Sequence, residues 1–122
     1  MPYQRLSSEK QLDELLSSSG PAWVFKHSMI CPTSNKALDE FESYLSAHPD
    51  EPAGVVVVQQ HRDLCQALAE RLGIRHQSPQ VFLVNEGDVQ WHASHARITA
   101  TNLADAAHPP ARSARPRFSE PP

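Results

Sequence analysis

The spacing of apolar residues along the chain predicts alternating helices and strands. Leu12, Leu15 and Leu16 recur at helical spacing after Ser8-Glu9-Lys10-Gln11, which has the form of a capping box, and they predict a first helix over 9–17. Similar spacing predicts three further helices over 32–47, 63–72 and 99–107. Apolar runs bounded by turn residues predict four strands over 22–26, 54–59, 81–84 and 89–93, the last two joined as a hairpin.

The order of these elements, α-β-α-β-α-β-β-α, predicts an α/β fold. A strand, a crossover helix and a second strand require parallel pairing, and the hairpin adds an antiparallel strand. We therefore expect a four-stranded mixed sheet with helices on both faces, which is a thioredoxin-like arrangement. Residues 1–107 would form this domain, and the Pro- and Arg-rich composition of residues 108–122 predicts a disordered tail.

Composition and charge argue against several classes of protein. The 122 residues fit one domain, and the net charge of −3 lacks the basic field that nucleic-acid binding requires. Two cysteines are too few for a disulfide framework or a four-cysteine zinc site. The N-terminus lacks the apolar region of a secretory signal, and no stretch is long and apolar enough to span a membrane. We therefore expect a cytoplasmic protein that binds neither nucleic acid nor membranes.

Cys31 is the strongest candidate for chemistry. It follows the first predicted strand and opens the next helix, so backbone N–H groups and the positive end of the helix dipole favour its thiolate form. Charged and hydroxyl side chains lie close to it in sequence, and proline suits the first helical position. We predict Cys31 as the nucleophile, supported by Lys26, His27, Pro32, Thr33 and Ser34.

The residue three positions after Cys31 limits the reaction that the cysteine can complete. This residue is Ser34, so the pair cannot close the internal disulfide by which a dithiol oxidoreductase releases its mixed disulfide. The intermediate must pass to an external thiol. The other cysteine, Cys65, lies beside Leu64 and Leu68 in a predicted helix, and we interpret it as a buried structural thiol, with a resolving role as the alternative.

Ser78-Pro79 precedes the third predicted strand. In a thioredoxin-like fold this loop faces the reactive cysteine, so we predict a cis peptide bond that presents the backbone of Ser78 to an extended substrate. An ordinary trans proline is the alternative.

Seven histidines raise the question of a metal site. His92 and His95 are the nearest pair, but no carboxylate or cysteine stands beside them at a matching ligand spacing. We therefore predict no metal.

Three blocks of the sequence resemble blocks of the YtxJ family, the monothiol bacilliredoxins. They span Lys26–Ser34, Arg75–Gln80 and Trp91–Thr99, and the likeness extends over residues 4–107. The resemblance implies a thioredoxin-like oxidoreductase that holds no bound cofactor and uses bacillithiol as its co-substrate. It also implies S-bacillithiolated proteins as partners and, indirectly, a bacillithiol disulfide reductase.

Within these blocks, the resemblance carries the reactive role to Cys31 and Pro32. Cys31 would attack the bacillithiol sulfur and be regenerated by free bacillithiol, and the loop of Gln77, Ser78 and Pro79 would contact the substrate. This chain departs from the family at Ile30, where the family has threonine, and at Gln77, where it has glutamate.

Two other functions fit the same cysteine. A monothiol glutaredoxin also has one reactive cysteine and a serine three positions on, although Pro32 stands where glutaredoxins of this type have glycine. A non-enzymatic thioredoxin-like binding or stress module that displays a modifiable thiol is the second alternative.

Overall fold

The computed structural model describes residues 2–17 and 19–109, which form one mixed five-stranded sheet with helices on both faces. A 3₁₀ turn over His95–Arg97 follows the last strand. In chain order the elements are β1 Gln4–Arg5, α1 Glu9–Leu16, β2 Pro21–His27, α2 Pro32–Ala47, β3 Ala53–Val57, α3 Arg62–Leu72, β4 Gln80–Asn85, β5 Asp88–Ser94 and α4 Ala100–Ala107.

The strand order in the sheet is β1-β3-β2-β4-β5. β3 is parallel to both β1 and β2, whereas β4 is antiparallel to β2 and β5. The register places Phe25 between Val55 on one side and Val81 on the other. The predicted mixed sheet, its parallel crossover and its terminal hairpin are confirmed.

The predicted number of strands was one too low. The additional strand, β1, has two exposed residues, Gln4 and Arg5, which pair with Gly54 and Val55 at the edge of the sheet. Such a short polar segment carries no alternation of apolar and polar positions, so its sequence gives no strand signal. Its partner Gly54 lies under Leu6, because a Cβ atom there would be 2.7 Å from Leu6 Cδ1.

The sheet separates two apolar cores. On the first face, α1 and α3 pack against strand residues that include Val24, Val56 and Phe82. On the second face, α2 and α4 pack against Trp23 and Phe25, among others. Successive side chains of a strand point to opposite faces, so β2 contributes to both cores. We refer to these as the α1/α3 face and the α2/α4 face.

A local sequence signal accounts for the start of the first helix. The Ser8 hydroxyl accepts a hydrogen bond from the Gln11 N–H at 3.2 Å, as the capping box predicts. The Gln11 side chain instead accepts from the Ser7 N–H at 2.7 Å, so only half of the reciprocal box forms.

The two edge strands of the sheet differ in how they are built. β1 has only two residues, whereas β5 pairs with β4 through a register irregularity at Leu83 and Val84. Three side chains of β5, Asp88, Gln90 and His92, are exposed. Neither edge therefore combines a long regular ladder with an apolar outer surface.

Over residues 2–17 and 19–109, no helix is long and apolar enough to cross a membrane. Of the predicted tail, residues 110–122 lie outside the described residues. His108 follows α4 as its C-cap residue, and its backbone N–H bonds to the Ala104 carbonyl at 2.7 Å.

Candidate active site

Cys31 is the residue that caps the N-terminus of α2, and Pro32 is the first residue of the helix. The Cys31 carbonyl accepts hydrogen bonds from Ser34 N at 3.0 Å and Asn35 N at 3.1 Å, which begins the helical ladder. Its side chain makes no capping hydrogen bond and is partly exposed. The sulfur thus lies at the positive end of a helix and is accessible for attack on another sulfur.

Ser34 is fully buried and holds the chain that leads to Cys31. Its Oγ accepts a hydrogen bond from the Ser28 N–H at 2.9 Å and lies 2.8 Å from His27 Nδ1. Burial lowers the pKa of His27, and Arg5 lowers it further while Glu42 raises it. In the neutral tautomer with the proton on Nε2, His27 Nδ1 accepts a hydrogen bond from the Ser34 hydroxyl, while the serine oxygen accepts from the Ser28 N–H. The serine of the Cys-x-x-Ser sequence is therefore a structural anchor.

Gln59 anchors the same loop from the turn that follows β3. Its Nε2 donates to Ser28 Oγ at 2.9 Å, and its Oε1 accepts from the Met29 N–H at 3.0 Å. We call residues 28–30 the cysteine loop. Its backbone is held by Ser34 on one side and by Gln59 on the other, so the approach to Cys31 is pre-organised.

The cysteine loop also carries an apolar surface next to the thiol. Met29 is 49% exposed and Ile30 is 82% exposed, whereas the large apolar side chains of the described sheet and helices are buried or partly buried. Such exposed apolar side chains beside a reactive group are typical of a surface that contacts another molecule.

Lys26 is not placed beside Cys31, contrary to its predicted supporting role. Its fully buried side chain lies on the α1/α3 face, where Nζ is 3.0 Å from His76 Nδ1 and 5.4 Å from the centre of the Phe82 ring. The reason is the alternation of side chains along β2, which sends Lys26 and His27 to opposite faces. Burial lowers the pKa of Lys26, with the Cys65 thiol acting in the opposite direction.

Cys65 is buried in α3, as predicted for a structural thiol. Burial raises the pKa of its thiol, although the nearby charge of Lys26 lowers it. The neutral thiol is therefore favoured, and it lies on the α1/α3 face with Lys26.

The Ser78–Pro79 peptide bond is cis, which confirms the prediction. The Pro79 carbonyl accepts a hydrogen bond from the His95 N–H at 3.1 Å. The buried side chain of Gln80 fixes the preceding loop, because Oε1 accepts from Gln77 N at 3.1 Å and Nε2 donates to the Arg75 carbonyl at 3.2 Å.

A cavity of about 600 Å³ lies beside the start of α2. Pro32, Thr33 and Lys36 line its α2 side, and His95 and Thr99 line the side formed by the 3₁₀ turn and the start of α4. Pro32 directly follows Cys31, so the cavity lies next to the N-terminus of α2. The volume suits a small molecule, and the Lys36 ammonium together with the hydrogen-bonding ring of His95 suits one that carries carboxylates.

One acidic residue also lines this cavity. Glu40 Oε1 accepts the Ala100 N–H at 2.8 Å, which fixes that carboxylate at the first turn of α4. An anionic ligand is therefore expected to approach Lys36 and the start of α2 more closely than Glu40.

The sequence interpretation missed Gln59, His76 and Gln80. For Gln59 a signal existed, because it follows β3 just beyond its carboxyl end. Carboxyl ends of parallel strands meet at the same edge of a sheet, where Cys31 also lies. His76 and Gln80 lie in the block Arg75–Gln80 that resembles the family, but the block does not indicate what they contact. Their partners are Lys26, 50 positions from His76, and backbone groups beside Gln80.

Solved structures with the same fold include a candidate oxidoreductase with a thioredoxin fold, which has 34% sequence identity and a TM-score of 0.81. That alignment covers 85% of this chain and 92% of the other. Thioredoxin from Trypanosoma brucei brucei has a TM-score of 0.72 at 12% identity, with 85% and 86% of the two chains covered. Malassezia sympodialis thioredoxin has a TM-score of 0.70 at 18% identity, with 86% and 87% covered. These likenesses confirm the thioredoxin-like fold.

The family model of the monothiol bacilliredoxin BrxC matches residues 4–103. This range contains Cys31, Ser34 and the cis Ser78–Pro79 bond. The match, together with the 34% identical oxidoreductase structure, supports a monothiol redox function. The chain therefore belongs to the monothiol bacilliredoxin family.

Proposed function

We propose that this protein removes bacillithiol from S-bacillithiolated proteins by monothiol exchange at Cys31. The observation that carries the proposal is the pairing of an accessible helix-capping cysteine with a serine whose hydroxyl is buried in structural hydrogen bonds. This arrangement supplies one attacking sulfur and no neighbouring thiol. Membership of the bacilliredoxin family supports bacillithiol as the small thiol.

In the first step, the Cys31 thiolate attacks the bacillithiol sulfur of the mixed disulfide. A new S–S bond forms between Cys31 and bacillithiol, the old one breaks, and the client protein leaves as a thiolate that takes a proton from water. In the second step, the thiolate of another bacillithiol attacks the bacillithiol sulfur on Cys31. Cys31 is released as a thiolate and bacillithiol disulfide forms, which a separate bacillithiol disulfide reductase would reduce.

Two surfaces beside Cys31 support the two kinds of substrate. The apolar side chains of Met29 and Ile30 supply a contact surface for a client protein. The 600 Å³ cavity beside α2 supplies room for the small thiol, whose carboxylates would lie near Lys36 and His95. Lys26, which lies on the other face of the sheet, takes no part in this scheme.

External regeneration follows from the position of the second cysteine. Cys65 is buried on the α1/α3 face, whereas Cys31 begins a helix on the α2/α4 face. Release of bacillithiol from Cys31 therefore requires attack by a thiol from solution. Turnover should depend on the concentration of free bacillithiol.

The test is a debacillithiolation assay followed by intact mass spectrometry. A client protein carrying bacillithiol is mixed with the wild-type chain, and we expect the bacillithiol mass to move to Cys31 and to disappear when free bacillithiol is added. Cys31→Ser should abolish the transfer, whereas Cys65→Ala should retain it. Transfer that persists in Cys31→Ser would refute the mechanism.

The identity of the small thiol needs its own comparison. The same client carrying glutathione is assayed in parallel, with wild type and with Lys36→Ala. We expect faster transfer from the bacillithiolated client and a larger loss for that client in Lys36→Ala. Equal rates for both clients would contradict the choice of bacillithiol and would leave general monothiol exchange intact.

A further inference from the structure

We propose that His48, Glu51 and His108 form a Zn²⁺-binding site. His48 is the C-cap residue of α2, His108 is the C-cap residue of α4, and Glu51 lies in the connection between α2 and β3. The Cys31 site is at the opposite end of α2, so this cluster is separate from the redox centre. Among residues 2–17 and 19–109, these three side chains form the group of histidine and carboxylate residues whose ligand atoms lie close enough together to hold one metal ion.

The three candidate ligand atoms are already close together. His108 Nε2 is 2.8 Å from Glu51 Oε2, His48 Nδ1 is 3.6 Å from the same oxygen, and all three atoms lie within 4.8 Å of one another. In a tetrahedral zinc site with bonds of about 2.0–2.1 Å, ligand atoms are separated by roughly 3.4 Å. Small rotations of the side chains are enough to reach that separation.

Glu51 is oriented by hydrogen bonds that leave one oxygen for a metal. Its Oε1 accepts from Trp23 Nε1 at 2.8 Å and from the Tyr44 hydroxyl at 2.6 Å. These donors fix the carboxylate and direct Oε2 toward the two histidines. Hydrogen-bonded partners of this kind orient the ligating group in protein metal sites.

The two imidazoles of the cluster are also held close to each other by stacking. Their ring centres lie 4.9 Å apart, with an angle of 20° between the ring planes.

The donor set selects the class of metal. Two imidazole nitrogens and one carboxylate oxygen are ligands for Zn²⁺, whereas Mg²⁺ and Ca²⁺ prefer oxygen alone. Cavities of about 240 and 290 Å³ adjoin Glu51 on the His48 and His108 sides and provide access from solvent. A water molecule would complete the coordination, as in sites with three protein ligands.

The experiment uses the full chain, stripped of metal with a chelator and titrated with Zn²⁺ in competition with a chromophoric chelator. A Cys31→Ser background removes the exposed thiol, which is itself a zinc ligand. We expect one equivalent of zinc to bind and the melting temperature to rise with zinc concentration. His108→Ala should weaken binding at least tenfold, and Tyr44→Phe should weaken it by about tenfold or more through loss of the orienting hydrogen bond.

His92→Ala is the matched control, because His92 is an exposed histidine on β5 outside the cluster. It should bind zinc as the parent does. X-ray absorption of the zinc-loaded Cys31→Ser protein should show nitrogen and oxygen neighbours with two imidazoles. Binding weaker than millimolar, binding unchanged by His108→Ala, or sulfur in the zinc shell would each overturn the proposal and identify the cluster as a hydrogen-bonded contact only.

Discussion

Replacing Ser34 by alanine removes a fully buried hydroxyl that holds the cysteine loop. The hydroxyl accepts from the Ser28 N–H at 2.9 Å and lies 2.8 Å from His27 Nδ1. Alanine is a good helix former and fits the space, so the helix itself should remain. The variant therefore isolates the contribution of the hydrogen bonds to stability and to the position of Cys31.

The expected loss of stability in Ser34→Ala follows from the groups that lose their hydrogen bond to the serine hydroxyl. Ser28 is buried, so its unpaired N–H costs about 1–3 kcal/mol. Loss of the hydrogen bond to His27 increases the destabilisation by about 1 kcal/mol, and the better helix propensity of alanine offsets roughly 0.5 kcal/mol of it. We expect Ser34→Ala to lower the free energy of unfolding by about 2–3 kcal/mol, which corresponds to a shift of roughly 1–2 M in the urea midpoint.

Urea unfolding followed by circular dichroism measures this change. Ser46→Ala is the matched control, because Ser46 is an exposed residue of the same helix, and it should change the stability by less than about 0.5 kcal/mol. The rate of alkylation of Cys31 by iodoacetamide reports the position of the cysteine loop and should change in Ser34→Ala but not in the control.

A Ser34→Ala protein as stable as the Ser46→Ala control would refute this reasoning. It would mean that the Ser28 N–H finds water or another acceptor at no cost. The remaining role of serine at position 34 would then be only that it places no second thiol there.

Three further predictions concern other parts of the molecule. Gly54→Ala places a methyl group 2.7 Å from Leu6 Cδ1 and should cost about 1–3 kcal/mol, measured as a lower melting temperature; an unchanged melting temperature would contradict the packing. Burial lowers the pKa of His27 from 6.5, so the unfolded chain binds protons more readily and stability should fall as pH falls through that range. His27→Gln should show a shallower fall in urea titrations, and an equal slope would contradict it. Ser34→Cys supplies a thiol three positions on and should shorten the lifetime of the bacillithiol adduct on Cys31, seen by mass spectrometry; an unchanged lifetime would count against internal resolution.

The order and type of the main elements could be predicted from the sequence because each long element has a clear period. The apolar run predicted as a strand over 54–59 and the helical spacing over 32–47 correspond to β3 and α2. β1 could not be predicted, since Gln4 and Arg5 become a strand only through pairing with Gly54 and Val55. The sequence of a two-residue segment does not indicate that it pairs with residues about 50 positions away.

The candidate site could be predicted at its centre and less well around it. Cys31 and the cis Ser78–Pro79 bond follow from local sequence and fold position. Lys26 was assigned by closeness in sequence, but side-chain alternation along β2 places it on the other face. Gln59 joins the site only through folding, because its contacts to the cysteine loop span about 30 positions.

The edges of the sheet bear on how this protein behaves at high concentration. An exposed strand edge can pair with another molecule and begin aggregation, and short, irregular or polar edge strands reduce that risk. β1 is two residues long, and β5 combines a register irregularity with the exposed Asp88, Gln90 and His92. Strand addition is thus disfavoured at both edges. If the protein meets client proteins as proposed, those encounters need not lead to intermolecular β-sheet growth.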